Sequence, residues 1–343
     1  MSLPNWMKNR NVHAVLIMVM VLILLVATEG SIGLTWDEPD YIVASEAYNA
    51  WFGDVVADPG EALSTAGIEE SWSVNHEHPP LDKIYSGFVW AAARHVFDDL
   101  TAHRMGNMIL AAVTAGLLYL LLAESFSWAA GLAAVAALLT LPRFFFHAHL
   151  AALDVPAACA IFIVTFLFWK TKDDPSRKWT VVLGLAWGLA FATKINAAFL
   201  PPALFLWALL FRREKRMFER IILMGVIGVL FSFAVWPWLY PEFPARALDY
   251  LAWITTEHWQ IGQWYLGQMY MPPPWHLPFV ITWAVVPLTL TVLYWTGIVR
   301  ALVKRLEADG LGILLIINAV VPLLALTTGG SMVYDNDRLF MPA

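Results

Sequence analysis

The sequence predicts an all-α polytopic membrane protein, from its composition and from the length of its apolar runs. Of its 343 residues, 59% are hydrophobic and only 14% are charged, too few to give a soluble fold of this size a polar surface. A helix of roughly 17 to 25 apolar residues crosses a bilayer because lipid offers no partner for an open backbone. We therefore expect a single transmembrane domain over residues 1–343.

Nine apolar runs are candidate membrane spans. They lie near residues 12–33, 103–123, 129–146, 155–170, 179–196, 198–211, 219–236, 277–299 and 311–328. The first run could alternatively be a cleaved signal peptide, but no small-x-small cleavage motif follows it cleanly. The single cysteine, Cys159, excludes an intrachain disulfide, so packing and lipid contact must hold the outer loops.

The distribution of basic residues gives the orientation, because the Lys and Arg of short loops stay on the cytoplasmic side. With the amino terminus inside, the inner loops hold 14 of the 21 basic residues. The outer face then carries a catalytic loop at 35–102 and a second loop at 237–276. Within the first loop, 80–97 is predicted to be an amphipathic interfacial helix. Its Trp90 and Phe97 would face lipid, and its Lys83 and Arg94 would face water.

This topology gathers on the outer face the charged residues that a membrane protein retains for function or pairing. They are Asp37, Glu38, His76, Glu77, His78, Lys83, Arg104, Arg143, His147, His149, Asp154 and Lys194. Separate loops thus supply acids and bases to one surface, as in an enzyme. The net charge of -6, with no basic tail, argues against a nucleic-acid partner.

Several of these residues also have a purely structural interpretation. Asp37 and Glu38 could cap a helix that begins near Pro39, and Asp154 could cap the helix before Pro156. Arg104 and Lys194 could extend their charged ends from a span toward water.

Two further patterns have structural interpretations as well. The side chains of His76, Glu77 and His78 suit a metal but are also common in solvated loops. Gly184 and Gly188 indicate close contact between helices.

The order of short motifs resembles glycosyltransferase family 39, the protein O-mannosyltransferases and the bacterial lipid A aminoarabinose transferases. The motifs are Trp36-Asp37-Glu38, His78-Pro79-Pro80-Leu81-Asp82-Lys83, Arg104, Arg143, Asp154-Val155-Pro156 and Gly188-Leu189-Ala190 before Thr193-Lys194. The outer segment from Tyr265 to Trp275 is similar to bacterial members. The resemblance implies the GT-C membrane fold. The family usually has further spans and often a carboxy-terminal domain, so we expect a truncated or short member ending at Ala343.

The resemblance also implies a function, an inverting transfer of a hexosyl or pentosyl group from a polyprenyl-phosphate donor to an acceptor on a protein, lipid or glycan. Asp37 is then the general base, Glu38 its positioning neighbour, and Asp154 a residue that orients the acceptor or a cation. The residues predicted to bind the donor phosphate are Lys83, Arg104, Arg143 and Lys194.

No cofactor is required in principle, because basic side chains can neutralise a leaving monophosphate. If a divalent metal binds, His76, Glu77 and His78 are its expected ligands. The expected location is the bacterial inner membrane, with the active site outside and membrane lipids as neighbours. Two other classes stay open: a lipid or sugar transporter or flippase, and a non-catalytic subunit of a glycan-assembly complex.

The predicted orientation can be tested with single cysteines in a Cys159→Ala background. We expect Ser64→Cys to react with an impermeant thiol reagent from the outside of sealed cells, and Ser176→Cys only from the inside, because the basic loops fix the sidedness. Lysed cells, in which both positions should react, serve as the control. Labelling of both residues from the same side would refute the arrangement.

Overall fold

The protein is almost entirely helical in its computed structural model, which describes residues 9–174, 176–257, 261–303, 310–325 and 327. A two-stranded antiparallel sheet is formed by β1 (Gln263–Tyr265) and β2 (Gln268–Tyr270). The predicted all-α class is confirmed. The chain clusters into two compact units, and each is described by itself below. The single transmembrane domain stays a prediction.

The first unit comprises Met1–Phe166 and Val235–Pro241. Its α-helices are α1 (Arg10–Glu29), α2 (Glu38–Ala57), α3 (Pro59–Ala62), α4 (Thr65–Trp72), α5 (Leu81–Ala93), α6 (Asp99–Ser125), α7 (Trp128–Leu139), α8 (Pro142–His147) and the start of α9 (Asp154–Thr171). A 3-10 turn, Pro237–Leu239, completes it.

The second unit comprises Leu167–Ala234 and Glu242–Ala343. It holds the end of α9, then α10 (Arg177–Thr193), α11 (Leu200–Phe211), α12 (Lys215–Ala234), α13 (Ala245–Ala252), α14 (Leu277–Val285), α15 (Leu288–Val303) and α16 (Leu311–Ala325). Ile195–Phe199 forms a 3-10 helix before α11, and Trp253–Glu257 forms a π-helical turn after α13. The sheet lies between α13 and α14 in the chain.

Within the part of the chain that the structure describes, four helices, α1, α6, α9 and α12, are long and apolar enough to cross a membrane. Two of the predicted spans are interrupted instead. The run 129–146 divides into α7 and α8, which begins at Pro142, and the run 277–299 divides into α14 and α15 on either side of Val286 and Pro287. Proline ends a helix because it lacks the backbone N–H and clashes with the preceding turn.

Short helices fill the predicted outer loop, and aromatic packing holds them together. The rings of Tyr48 on α2 and Trp72 on α4 stack with their centroids 4.2 Å apart. The Tyr48 hydroxyl donates to the Val74 carbonyl at 2.6 Å, and the Trp51 indole N–H donates to the Ala62 carbonyl at 2.9 Å. Buried aromatic rings whose polar atoms are paired make the loop a folded layer.

Helix α5 differs from its predicted orientation. Lys83 was expected to face water but is buried, because its ammonium group binds the loop that precedes α5. Trp90 was expected to face lipid, but its indole N–H donates to Asp99 at 2.9 Å. Arg94 and Phe97 are exposed. The amphipathic pattern of α5 therefore reflects burial within the protein, and its contact with the membrane interface stays a prediction.

Glycines bring α10 and α12 of the second unit into close contact. A Cβ atom added to Gly188 would lie 2.9 Å from the Gly228 carbonyl oxygen, and one added to Gly184 would lie 2.7 Å from Ile227. The Ser232 hydroxyl donates to the Gly188 carbonyl at 3.0 Å. The predicted role of Gly184 and Gly188 in close helix contact is confirmed. Small residues allow such an approach, and dispersion contacts then stabilise helices in lipid.

Gly188→Ala should lower the melting temperature in detergent because the added methyl group meets the backbone of Gly228. We expect a cost of about 1–3 kcal/mol, as for other overpacked contacts. Gly225→Ala on α12 is the matched control, since a Cβ atom there has nothing within 4 Å and alanine favours a helix. Equal melting temperatures for Gly188→Ala and the wild type would contradict the close contact.

Candidate functional site

The centre of the first unit is a buried arginine whose hydrogen-bonding capacity is fully used. Arg104 lies in the second turn of α6 with no exposed surface. Its Nε and Nη2 donate to the two carboxylate oxygens of Glu38 at 2.8 and 2.7 Å, and its Nη1 donates to Glu29 at 2.7 Å. The remaining N–H groups donate to the carbonyls of Ile32 at 2.8 Å and Gly33 at 2.9 Å. A guanidinium has five N–H donors, so none is left for a ligand in this arrangement.

Glu38 is held as completely as Arg104. In addition to the arginine, its carboxylate accepts from the backbone N–H of Thr35 at 2.8 Å, the Thr35 hydroxyl at 3.0 Å and the backbone N–H of Ala151 at 2.9 Å. Burial alone would raise the pKa of Glu38, but the hydrogen bonds from Arg104, Thr35 and Ala151 hold it below its ordinary value. Glu38 is therefore a fixed anion that joins α2, α6 and the segment before α9.

Asn107, one turn further along α6, holds the same segment. Its amide donates to the carbonyls of Leu150 at 2.5 Å and Ala152 at 2.8 Å. Because residues three apart share a helix face, Arg104 and Asn107 act on the same side of α6. This face therefore positions two chain segments, the one that carries Asp37 and the one that leads to Asp154.

Asp37 occupies the N-cap position of α2, but its side chain does not cap the helix. Its neighbour Glu38 is completely buried, whereas Asp37 is partly exposed. Trp36 is 94% exposed, so the Asp37 backbone lies at the surface of the unit. No hydrogen bond from a backbone N–H of α2 to the Asp37 side chain supports the interpretation of Asp37 as a helix cap.

Asp154 begins α9 and is completely buried. One of its oxygens lies 3.7 Å from Nδ1 of His147, at the end of α8. The Asp154 charge also reaches Asp82 on α5. Burial raises the pKa of Asp82 to about 7, with Lys83 opposing the rise and Asp154 adding to it. One Asp82 oxygen has no hydrogen-bond donor among the residues that the structure describes.

Lys83 binds the protein itself in this structure. Its ammonium group donates to the Asn75 carbonyl at 2.6 Å, the Asn75 side-chain oxygen at 2.9 Å and the His78 carbonyl at 3.0 Å. Burial lowers the pKa of Lys83 to about 7, opposed by the nearby carboxylates of Glu77 and Asp82. Asn75 has a φ of 53°, a left-handed conformation that asparagine tolerates better than most residues. Lys83 thus stabilises the turn before the His78-Pro79-Pro80 motif.

Among the described residues, the ligand atoms of His76, Glu77 and His78 do not form a close group. His76 hydrogen-bonds the Ser73 carbonyl at 2.7 Å and stacks on Trp238 with ring centroids 4.7 Å apart. Glu77 accepts from the Asn75 amide at 3.1 Å, and the His78 ring lies 6.0 Å from the Tyr41 ring.

The other two predicted phosphate ligands lie in different units. Arg143 is partly exposed at the start of α8 in the first unit. Lys194 follows α10 in the second unit and is buried.

The sequence did not identify three residues of this site. Glu29 ends α1, binds Arg104 and accepts from the Thr101 hydroxyl at 2.8 Å. The sequence feature that could have identified Glu29 is its position at the end of an apolar run, because an acid there is costly in lipid unless it is paired. Asp82 lies within a motif already recognised. Asn107 gives a weaker signal, a single amide within a predicted span.

Comparison with known proteins agrees with the resemblance seen in the sequence. Residues 78–240, just under half of the chain, match the model of the dolichyl-phosphate-mannose-protein mannosyltransferase family. The matched range includes Lys83, Arg104, Arg143, Asp154 and Lys194, but it begins after Asp37. The resemblance to glycosyltransferase family 39 is thus confirmed. A search of curated proteins found no match.

Two solved structures of ArnT from Cupriavidus metallidurans share the fold, one in the apo state and one bound to undecaprenyl phosphate. Each matches with a TM-score of 0.64 and 17% identity over 96% of this chain. The fold is the GT-C fold. This GT-C chain spans 57% of the length of those ArnT chains. Its apolar helices and its fold identify an integral membrane protein.

The raised pKa of Asp82 predicts a specific pH dependence of stability. The folded state keeps a proton on Asp82 up to about pH 7, whereas an unfolded chain releases it near pH ~3.9. The folded protein therefore loses stability as the pH rises between these values. We expect Asp82→Asn to reduce the fall in melting temperature across this window, followed by tryptophan fluorescence in detergent.

Asp54→Asn, at an exposed carboxylate on α2, is the control for a general loss of charge and should leave the wild-type pH dependence in place. If Asp82→Asn and the wild type show the same pH dependence, Asp82 does not titrate in this range.

Proposed function

We propose that the protein is a membrane glycosyltransferase that moves a sugar from a polyprenyl-phosphate donor to a hydroxyl or phosphate acceptor. The match of residues 78–240 to a mannosyltransferase family and the fold shared with ArnT, one structure of which holds undecaprenyl phosphate, support this class. The observation that carries the proposal is the contrast between two adjacent acids. Glu38 is locked by hydrogen bonds, and Asp37 is partly exposed and does not cap its helix.

In this proposal Asp37 is the general base. Its carboxylate accepts the proton of the acceptor hydroxyl while that oxygen attacks the anomeric carbon of the sugar. The bond between the anomeric carbon and the phosphate oxygen breaks, and its electrons leave with the polyprenyl phosphate. A single displacement of this kind inverts the configuration at the anomeric carbon. Asp154, held with His147 at the start of α9, orients the acceptor.

Glu38 and Arg104 act as positioning residues. Their bidentate pair fixes the turn of α2 that follows Asp37, and the bonds of Arg104 to the Ile32 and Gly33 carbonyls fix the chain before it. A base held within a narrow range of positions is a more effective catalyst than a mobile one. The sequence assigned Arg104 to the donor phosphate, but its five satisfied N–H groups favour this supporting role.

Arg143 is our proposed ligand for the donor phosphate in the first unit, since it is partly exposed and can bind two phosphate oxygens at once. The predicted role of Lys194, which is buried in the second unit, stays a prediction. Lys83 supports the turn that contains the His78-Pro79-Pro80 motif and does not bind phosphate directly in this arrangement. Lys83 and Arg104, whose N–H groups are all hydrogen-bonded within the protein, thus position the chain and do not bind the phosphate.

We place the reaction at the outer face of a bacterial inner membrane. The basic residues of the predicted inner loops support this orientation. The exposed Trp36 beside Asp37 agrees with a position at the interface between lipid and water, where tryptophan is enriched. A donor with its tail in lipid and its sugar outside would meet the base there. The transferred group is a hexose or a pentose.

Asp37→Asn separates a general base from a structural residue. The amide keeps the shape but not the basicity, so we expect sugar transfer to fall by ~10²- to 10⁴-fold with donor affinity and melting temperature unchanged. The assay follows radiolabelled sugar from a polyprenyl-phosphate donor in liposomes. Asp40→Asn is the matched control because it removes an exposed charge from the same first turn of α2.

Two outcomes would contradict the proposal. Full transfer activity in a folded Asp37→Asn protein would return Asp37 to a structural role. Movement of a labelled lipid across the liposome membrane without any transfer of sugar would favour a flippase.

A further inference from the structure

A second group of polar side chains lies where α2 meets the first turn of α6. Nε2 of His103 is 3.2 Å from a carboxylate oxygen of Glu46 and 4.0 Å from a carboxylate oxygen of Asp99. Among the described residues, these three offer ligand atoms that all lie within 4.8 Å of one another. The cluster shares no side chain with the hydrogen bonds of Arg104 or with the pair Asp154 and His147.

The surroundings of His103 allow Nε2, the ring nitrogen that faces both carboxylates, to bind a cation. The ring is buried and stacks on Trp90 with centroids 4.9 Å apart. Its Nδ1 lies 3.5 Å from the Ser45 hydroxyl, which donates its only hydrogen to the Ile42 carbonyl at 2.8 Å. The hydroxyl oxygen can therefore only accept, so it can bind a hydrogen on Nδ1 and leave Nε2 for a cation. Without a cation, Nε2 carries a hydrogen and donates to Glu46 at 3.2 Å.

Asp99 is also oriented toward His103. One of its oxygens accepts from the Trp90 indole N–H at 2.9 Å, and the other is the one that faces Nε2. A cation that replaces the Nε2 hydrogen would be bound by one nitrogen lone pair and two carboxylates, all of them acceptors. Metal-binding histidines typically have the other ring nitrogen fixed by a hydrogen bond, and metal-binding carboxylates are held in the same way.

We propose that Glu46, Asp99 and His103 form a site for a divalent transition-metal ion of the Zn²⁺ type. Two ligands at about 2.1 Å from a tetrahedral Zn²⁺ lie about 3.4 Å apart, close to the separations found here. The imidazole favours Zn²⁺ over Mg²⁺ or Ca²⁺, which prefer oxygen ligands. Both carboxylates are exposed, so water can complete the coordination.

The metal would join α2 to the start of α6 from outside the Arg104 cluster. His103 precedes Arg104 in the chain, and Glu46 lies two turns after Glu38 on α2. A bound ion would therefore link α2 to α6, the two helices that Glu38 and Arg104 also connect. These ligands differ from His76, Glu77 and His78, the residues that the sequence suggested for a metal.

The test is metal binding to the full chain in detergent after removal of metal with EDTA. We expect one Zn²⁺ per chain by calorimetry and elemental analysis, much weaker binding of Mg²⁺, and a rise in melting temperature of about 5 °C at saturating Zn²⁺. Glu46→Gln and Asp99→Asn, both at exposed positions, should each weaken Zn²⁺ binding by at least about tenfold. His103→Gln should abolish it.

Asp54→Asn, an exposed carboxylate on α2 away from the cluster, is the matched control and should bind Zn²⁺ as the wild type does. Failure of the wild type to bind Zn²⁺ would overturn the proposal and leave a simple hydrogen bond between His103 and Glu46. Binding that survives Glu46→Gln and Asp99→Asn but is lost in His76→Gln would also overturn it, by placing the ion at the loop 76–78. Neither measurement depends on sugar transfer.

Discussion

The first unit depends on one buried ionic cluster, in which Arg104 donates to Glu38, Glu29 and two backbone carbonyls. A buried charge is tolerated only when partners replace its lost water, and removing one member leaves the others unpaired at a cost of about 3–5 kcal/mol. The cluster therefore constrains the end of α1, the start of α2 and the second turn of α6 together. Asn107 extends this constraint to the segment before Asp154. The positions of both predicted catalytic aspartates follow from a single face of α6.

Helix geometry explains why two adjacent acids have different environments. Successive residues of a helix point about 100° apart, so Asp37 and Glu38 cannot both face α6. Glu38 takes the inward position and its charge is neutralised by Arg104. The sequence interpretation relied on repulsion from Glu38 to strengthen Asp37 as a base. In the structure Arg104 neutralises the Glu38 charge. Glu38 therefore helps to fix the position of Asp37 and does not raise its basicity.

The sequence was sufficient for features that depend on lipid or on local backbone chemistry. The lengths of α1, α6, α9 and α12 follow from apolar runs matched to a bilayer. The contact between α10 and α12 follows from Gly184 and Gly188. The partners of Lys83 and Arg104 did not follow, because a cation near a membrane looks the same in a sequence whether it binds a ligand or the protein. Only the distances to Asn75, Glu38 and Glu29 distinguish these roles.

Charge pairing also explains why the predicted phosphate ligands are distributed as they are. Lys83 and Arg104 lie where α5 and α6 are buried, and there an unpaired cation would have a large desolvation cost. A phosphate site at those positions would require the protein to stay folded while both buried cations are unpaired before the ligand binds. A partly exposed cation such as Arg143 has a smaller desolvation cost, since part of its surface stays in contact with solvent. The physical cost of burial thus favours supporting roles for the deepest cations and ligand binding for those nearer the surface.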